Sequence, residues 1–272
     1  MGRRLSAKGK QKRKQRITIW VLLIIILLAV VVAVSAILIK FNGSQDFSEN
    51  DDSSSDFSLS SDSSFQSSSS EEAFSAVAES AAVDMSYFDD AVFVGDSLTV
   101  GLGNYGVLPA ENVYADTGLN LDTILEKECI QTSNGKLTIL DALKLRKPSK
   151  VYIMLGSNGI AWITPENLAE KYSSFLDKVK AALPDATIYV ESILPVTAEK
   201  AADPKYSNET ITQYNSLLFN LAEEKEVNYL DCHSAFKMED GTLNTEYAEQ
   251  DGMHLKKVGY EALVEFFRTH TV

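Results

Sequence analysis

Ser97 closes the stretch AVFVGDS (residues 91–97), an apolar run that stops at Gly-Asp-Ser. A buried strand has no use for a hydroxyl at its end, so Ser97 is either a turn residue or a nucleophile. A serine hydroxyl becomes nucleophilic when a base can take its proton. The usual base is a histidine whose other ring nitrogen is oriented by a carboxylate. The chain has three histidines, His233, His254 and His270. His254 stands in DGMHL, with Asp251 three residues before it. That spacing can put both side chains on one side of a turn, with Nδ1 on the carboxylate and Nε2 free for Ser97. Capping of the next helix by Asp251 and a surface position for His254 are the ordinary alternatives. His233, in LDCHSAF, forms a rival pair with Asp231, and His270, near the end of the sequence, is expected to be solvated.

Acyl chemistry also needs hydrogen-bond donors aimed at the charge that develops on the carbonyl oxygen. Ser97 opens an expected helix, so its own N–H lies at an electropositive helix end. Gly118, in ADTGLN, allows close backbone approach and can offer a second N–H. Asn158, in LGSNG, can donate through its side-chain amide. Ordinary turn chemistry is the competing account of both. Asp96, next to the serine, is read as an acceptor that braces the loop. Trp162 and Met253 are candidates for the wall of an acyl or sugar pocket, with core packing set against that role as the more ordinary one.

The elements that must position these residues alternate along the sequence. β-Branched runs at 91–96, 112–116, 150–156, 187–196 and 227–232 predict strands. Amphipathic stretches at 98–104, 120–128, 137–145, 165–183, 208–225 and 256–268 predict helices. Pro165 suits a first turn, and Pro184 follows the end of that helix. Strands alternating with helices predict a five-stranded parallel sheet covered on both faces, a flavodoxin-like three-layer α/β/α sandwich of strand order 2-1-3-4-5. Ligands of such sheets bind beyond the carboxyl ends of the strands, where GDS, GSNG and DGMHL fall. Cys129 and Cys232 are the only cysteines, and that order puts their strands at opposite edges, so no bridge between them is expected. No ligand spacing for a metal and no phosphate-cradling loop is present, so no cofactor is expected.

The catalytic candidates occupy only part of the chain. The first sixteen residues hold eight Lys or Arg and no acid. Removing those eight positive charges from the net charge of −13 leaves −21 on the rest, a poor match for nucleic acid. Residues 17–39 carry no charge and, as a helix, span roughly 34 Å, enough to cross a bilayer. Arg16 and Lys40 flank the run and Trp20 lies near one end, so the positive-inside rule keeps the N-terminus in the cytoplasm and exports the remainder. A cleaved signal peptide, with AVSA at 33–36 as the cleavage site, is the alternative to an uncleaved anchor. Residues 40–84 are rich in serine and acid and poor in aliphatic side chains, which predicts a disordered linker. The globular domain is expected over 85–272, on the outer side of the cell membrane.

Taken together, Ser97 in GDSL, Gly118, Asn158 in GSN and His254 in DGMHL resemble the four ordered blocks of the SGNH hydrolases, also called GDSL esterases. The resemblance covers roughly residues 88–270. It implies the SGNH hydrolase fold, with Ser97 as nucleophile, His254 as acid/base and Asp251 as its orienter. The Ser97 and Gly118 amides and Asn158 would form the oxyanion hole. One position departs: the family's third block usually reads G-x-N-D, and Gly159 replaces the aspartate. A glycine there is similar to the exported domains of some bacterial peptidoglycan O-acetyltransferases. The expected function is a membrane-anchored serine esterase acting on O-acyl, above all O-acetyl, esters of cell-envelope glycans. The alternatives are an O-acetyltransferase served by a membrane acyl-donor partner and a non-catalytic wall-binding module.

Overall fold

The computed structural model describes residues 73–272. The basic tail, the apolar run 17–39 and the linker up to residue 72 lie outside the described residues. Among the described residues no helix is long and apolar enough to cross a membrane.

The core is a parallel sheet. β1 (Ala91–Gly95) is buried along its whole length, as a strand covered on both faces must be. It lies between β2 (Val113–Ala115) and β5 (Lys150–Met154), and the sheet continues through β6 (Thr187–Glu191) to β7 (Asn228–Leu230). All pairings in it are parallel. This is the order expected from the sequence. Alternate residues feed two cores. On one face Val92, Val94, Ile153 and Val190 meet α2 (Ile139–Arg146), α3 (Pro165–Ala182) and α5 (Asn208–Glu224). On the other, Phe93, Tyr152 and Tyr189 meet α1 (Ser97–Asn104) and α7 (Lys257–Thr269). The register aligns those three rings across neighbouring strands, and they stack at 4.7 and 4.4 Å.

Three expectations are corrected. Residues 120–128 do not form a helix. Asn120 Oδ1 accepts the Asp122 N–H and the Thr123 hydroxyl bonds back to Asn120, so local side-chain bonds hold a chain of turns instead. A hairpin follows, β3 (Ile130–Thr132) and β4 (Gly135–Leu137), turned at Ser133-Asn134, with Gly135 opposite Thr132 at φ 117°. The strand expected to reach residue 196 ends at Glu191. Beyond it the Asn215 amide takes the N–H and carbonyl of Ile193, and the Asn208 amide takes those of Val196. Two short helices, α4 (Ala198–Ala201) and α6 (Cys232–Phe236), complete the fold. Cys129 and Cys232 are both free thiols.

The third correction concerns residues 73–84, which composition assigns to the linker. They run along the edge of the sheet. The Val77 N–H bonds to the Tyr229 carbonyl of β7, and the Ser80 and Val83 N–H groups bond to Thr269 and Arg268 of α7. Phe74 packs on Phe219 at 5.0 Å. This strap occupies hydrogen-bonding positions that an edge strand leaves open. Combining Phe74→Ala with Val77→Pro in the full chain removes the ring contact and the donor to Tyr229. The expected loss is about 3 kcal/mol, or roughly 6–12 °C in Tm. An unchanged melting temperature would show that the strap contributes nothing.

Candidate functional site

The site begins where β1 runs straight into α1. A Cβ on Gly95 would stand 2.0 Å from Thr99 Oγ1 and 2.5 Å from the Met154 carbonyl, so only glycine lets the helix start this close to the strand. Asp96 is the N-cap, and its carboxylate accepts the Leu98 N–H at 3.1 Å. The same side chain accepts the Ser157 hydroxyl. Asp96 is 1 % exposed, and burial raises its pKa against the opposing effect of these hydrogen bonds. The acid next to the serine therefore braces the loop, as expected. Ser157 was not singled out from the sequence; its position before Asn158 was the one signal available.

Ser97 is the first residue of α1 and is half-buried. Its Oγ lies 2.8 Å from His254 Nε2. His254 Nδ1 lies 2.5 Å from Asp251 Oδ2. The other Asp251 oxygen accepts the N–H groups of Met253 and His254, both at 2.9 Å. Burial raises the Asp251 pKa, but the His254 ring and the two N–H donors outweigh it and hold the carboxyl below its ordinary value. The turn depends on Gly252, at φ 73°, where a Cβ would also meet Thr197 Oγ1 at 2.3 Å. The Thr197 N–H bonds to the Gly252 carbonyl and the Glu249 N–H to the His254 carbonyl, which fixes the loop to the body. Asp251 thus accepts within its own turn and does not cap α7, whose N-cap is Lys256.

The candidate oxyanion donors gather beside the serine. The Asp116 N–H reaches the Gly95 carbonyl at 3.4 Å, which brings the turn after β2 next to the end of β1. Gly118 sits in that turn at φ 76°. Asn158 Nδ2 donates to the Leu119 carbonyl at 3.0 Å, so the loop after β5 is clamped to the Gly118 turn. One amide hydrogen is used in that bond and the second remains. The N–H groups of Ser97 and Gly118 have no backbone partner among the described residues.

Other candidates separate from this group. Trp162 is 62 % exposed and packs into neither core cluster, which corrects the core role expected for it. The neighbouring Ile160 and Ile163 fill the core instead. Met253 is half-buried against the α5-side core, as expected for packing. Asp231 caps α6 through the Ser234 N–H, while buried His233 places Nδ1 3.0 Å from the Ile193 carbonyl. Those two are not paired. His270 is half-buried, stacks on Phe266 at 3.9 Å and bonds to its carbonyl, rather than being solvated. Gly159 has a packing reason: a Cβ there would meet Ile163 Cδ1 at 3.0 Å and the Gly156 carbonyl at 3.3 Å. No cluster of three or more metal-ligating side chains occurs among the described residues.

The arrangement can pass a proton from a serine hydroxyl to an imidazole whose second nitrogen is held by a carboxylate. It also offers N–H donors where an oxyanion would form. That is the equipment for acyl transfer through a covalent serine ester.

Comparisons with known proteins agree with this chemistry. The model of the GDSL-like lipase/acylhydrolase family matches residues 93–262. Among solved structures, similar folds include a provisionally assigned platelet activating factor from Streptococcus pneumonia, with 24% identity, TM-score 0.53, and 65% of this chain and 81% of that chain covered. A GDSL-like lipase from Bacteroides thetaiotaomicron has 16% identity and TM-score 0.51, with coverage of 65% and 84%. A provisionally assigned lipolytic protein of the G-D-S-L family from Desulfitobacterium hafniense has 17% identity and TM-score 0.50, with coverage of 66% and 98%. A search of curated proteins finds no match.

At the carboxyl end of β6, Glu191 is 3 % exposed, and burial pushes its pKa up to about 8 from an ordinary 4.5. Between those values the folded chain holds a proton that the unfolded chain lacks. Stability therefore falls as pH rises through this window, by about 1.4 kcal/mol per unit. Glu191→Gln removes the titration and keeps the shape. Urea unfolding of the two chains should agree within about 1 kcal/mol near pH 5 and favour the glutamine variant by about 3–5 kcal/mol above pH 8. Equal stability at both pH values would contradict the burial argument.

Proposed function

Because the chain belongs to the GDSL-like lipase/acylhydrolase family and is an ester-hydrolysing enzyme, we propose that Ser97, His254 and Asp251 are its triad. Ser97 Oγ attacks the ester carbonyl as its proton passes to His254 Nε2. The tetrahedral intermediate carries its negative oxygen toward the Ser97 and Gly118 N–H groups and the Asn158 amide. His254 then protonates the departing alcohol, leaving the acyl group on Ser97. Water repeats the sequence, with His254 as base, and releases the acid. Asp251 holds the imidazole in the tautomer that keeps Nε2 toward Ser97. The observation that carries this reading is the continuous contact Ser97–His254–Asp251, at 2.8 and 2.5 Å.

Hydrolysis fits the site better than transfer to a second alcohol. The His254 and Asp251 side chains are 37 % and 49 % exposed, so water reaches the acyl-enzyme. The substrate we propose is an O-acyl ester, chiefly O-acetyl, on glycans of the cell envelope. This rests on the sequence: a charge-free run at 17–39 behind a basic tail, followed by an acidic linker, would hold the catalytic domain outside the membrane.

The test uses the full chain against nitrophenyl esters of increasing acyl length. Acetate should be cleaved fastest; a maximum at long chains would move the substrate to lipids. Ser97→Ala and His254→Ala should each lose on the order of 10⁶ in kcat, and Asp251→Ala on the order of 10⁴. Turnover that survives Ser97→Ala would remove the triad assignment.

A further inference from the structure

Among the described residues Trp162 is the most exposed aromatic side chain, ahead of Tyr105. It is 62 % exposed, while its neighbours Ile160 and Ile163 are packed into the core. An exposed indole of this size calls for an explanation when it stands beside a functional group. Its backbone is fixed: the Gly159 carbonyl accepts both the Trp162 N–H at 3.0 Å and the Ile163 N–H at 2.8 Å, and the Gly159 N–H bonds to the Gly156 carbonyl at 2.8 Å. The Tyr214 hydroxyl holds the Ile163 carbonyl. The ring is thus carried on a short, tightly bonded turn.

That turn is the one that carries Ser157, bonded to the Asp96 brace, and Asn158, bonded to the Gly118 turn. The Trp162 N–H bonds to the carbonyl of Gly159, the residue after Asn158, so the indole is carried on the same turn as the Asn158 amide. The segment 156–164 (GSNGIAWIT) contains no charged side chain. It therefore offers a flat apolar surface and neutral hydrogen-bonding groups, which suit an uncharged partner.

The geometry points to Trp162 as the platform on which the sugar ring bearing the ester stacks. A pyranose ring has C–H faces that lose water against an indole while its hydroxyls stay solvated. An open surface suits that partner. An acyl chain would need an enclosing pocket, and the side chains of this site are one-third to one-half exposed. Trp162 is in this respect a specificity residue that binds the alcohol side of the ester. The inference rests on the esterase reading above and names the group that reading would recognise.

The experiment compares the full chain with Trp162→Ala and Trp162→Phe on nitrophenyl acetate and on an O-acetylated N-acetylglucosamine tetrasaccharide. The KM for the tetrasaccharide should rise at least about tenfold more than the KM for nitrophenyl acetate in the alanine variant, with kcat moving less than KM, and phenylalanine should restore most of the difference. An activity-independent readout uses the tryptophan emission. The chain has two tryptophans, Trp20 and Trp162. Adding the tetrasaccharide to the Ser97→Ala chain should change the emission, and the change should vanish when Trp162→Phe is added. Equal KM changes on the two substrates, or an effect confined to long-chain nitrophenyl esters, would overturn the inference. So would an emission unmoved by the sugar. If nitrophenyl acetate is cleaved independently of Ser97, the esterase mechanism falls; a sugar-dependent emission change would still support the platform.

Discussion

The buried Asp96 carboxyl holds the two halves of the site together. It caps α1 through the Leu98 N–H, and so places Ser97 at the electropositive first position of the helix. Its second attachment, to the Ser157 hydroxyl, reaches across to the loop after β5, which carries Asn158. A buried carboxyl without partners is costly, so both attachments are strongly favoured once the side chain is enclosed. The spacing of the serine from the Asn158 amide is therefore set by one residue gripping two strand ends. The parallel register beneath, with Gly95 opposite Met154, keeps those ends level.

The histidine arrives from the far end of the sequence, 157 residues from the serine. Two contacts bring it there. Gly101 of α1 lies against Tyr260 of α7, so close that a Cβ would stand 2.0 Å from the phenol ring, and this seats α7 directly beside the nucleophile's helix. The turn before α7 then folds back on itself through Gly252. With a side chain at that position the Asp251 carboxylate could not both accept two N–H groups of its own turn and meet the imidazole, because φ 73° is a left-handed conformation and Thr197 occupies the space. The short Asp-x-x-His spacing works because backbone donors hold the carboxylate in place before the ring binds it.

Much of this was legible in the sequence because it depends on periodicity and on strand ends. The five sheet strands and their order follow from buried apolar runs separated by amphipathic helices; Ser97 and Asn158 are marked by their places after strands, and His254 by its Asp-x-x-His spacing before the last helix. The features that were missed depend on side-chain bonds to backbone, which periodicity does not register. Asn120 and Thr123 hold turns where an apolar pattern reads as helix. Asn215 and Asn208 take over the backbone of residues 193 and 196 where β-branched residues read as strand. The hairpin at 130–137 has only three residues in each strand, too few for a strand period to register. Trp162 shows the converse: an aromatic beside two isoleucines reads as core, but the tight turn can bury only the isoleucines.

The strap has the same cause and a further physical consequence. Composition averages residues 73–84 together with the serine- and acid-rich run before them, and so hides Phe74, Val77 and Val83. Those side chains straddle the sheet edge: Phe74 joins the core on the α5 side, while Val77 and Val83 join the core on the α7 side. A chain clamped to both cores at an edge strand closes that edge, and in doing so covers groups on β7 that could otherwise pair with a second chain. At the opposite edge, β2 is only three residues long, which limits such pairing by shortness alone. Residues 73–84 therefore belong to the fold, and the polar linker read from the sequence gives way to the strap at Phe74, which closes the β7 edge.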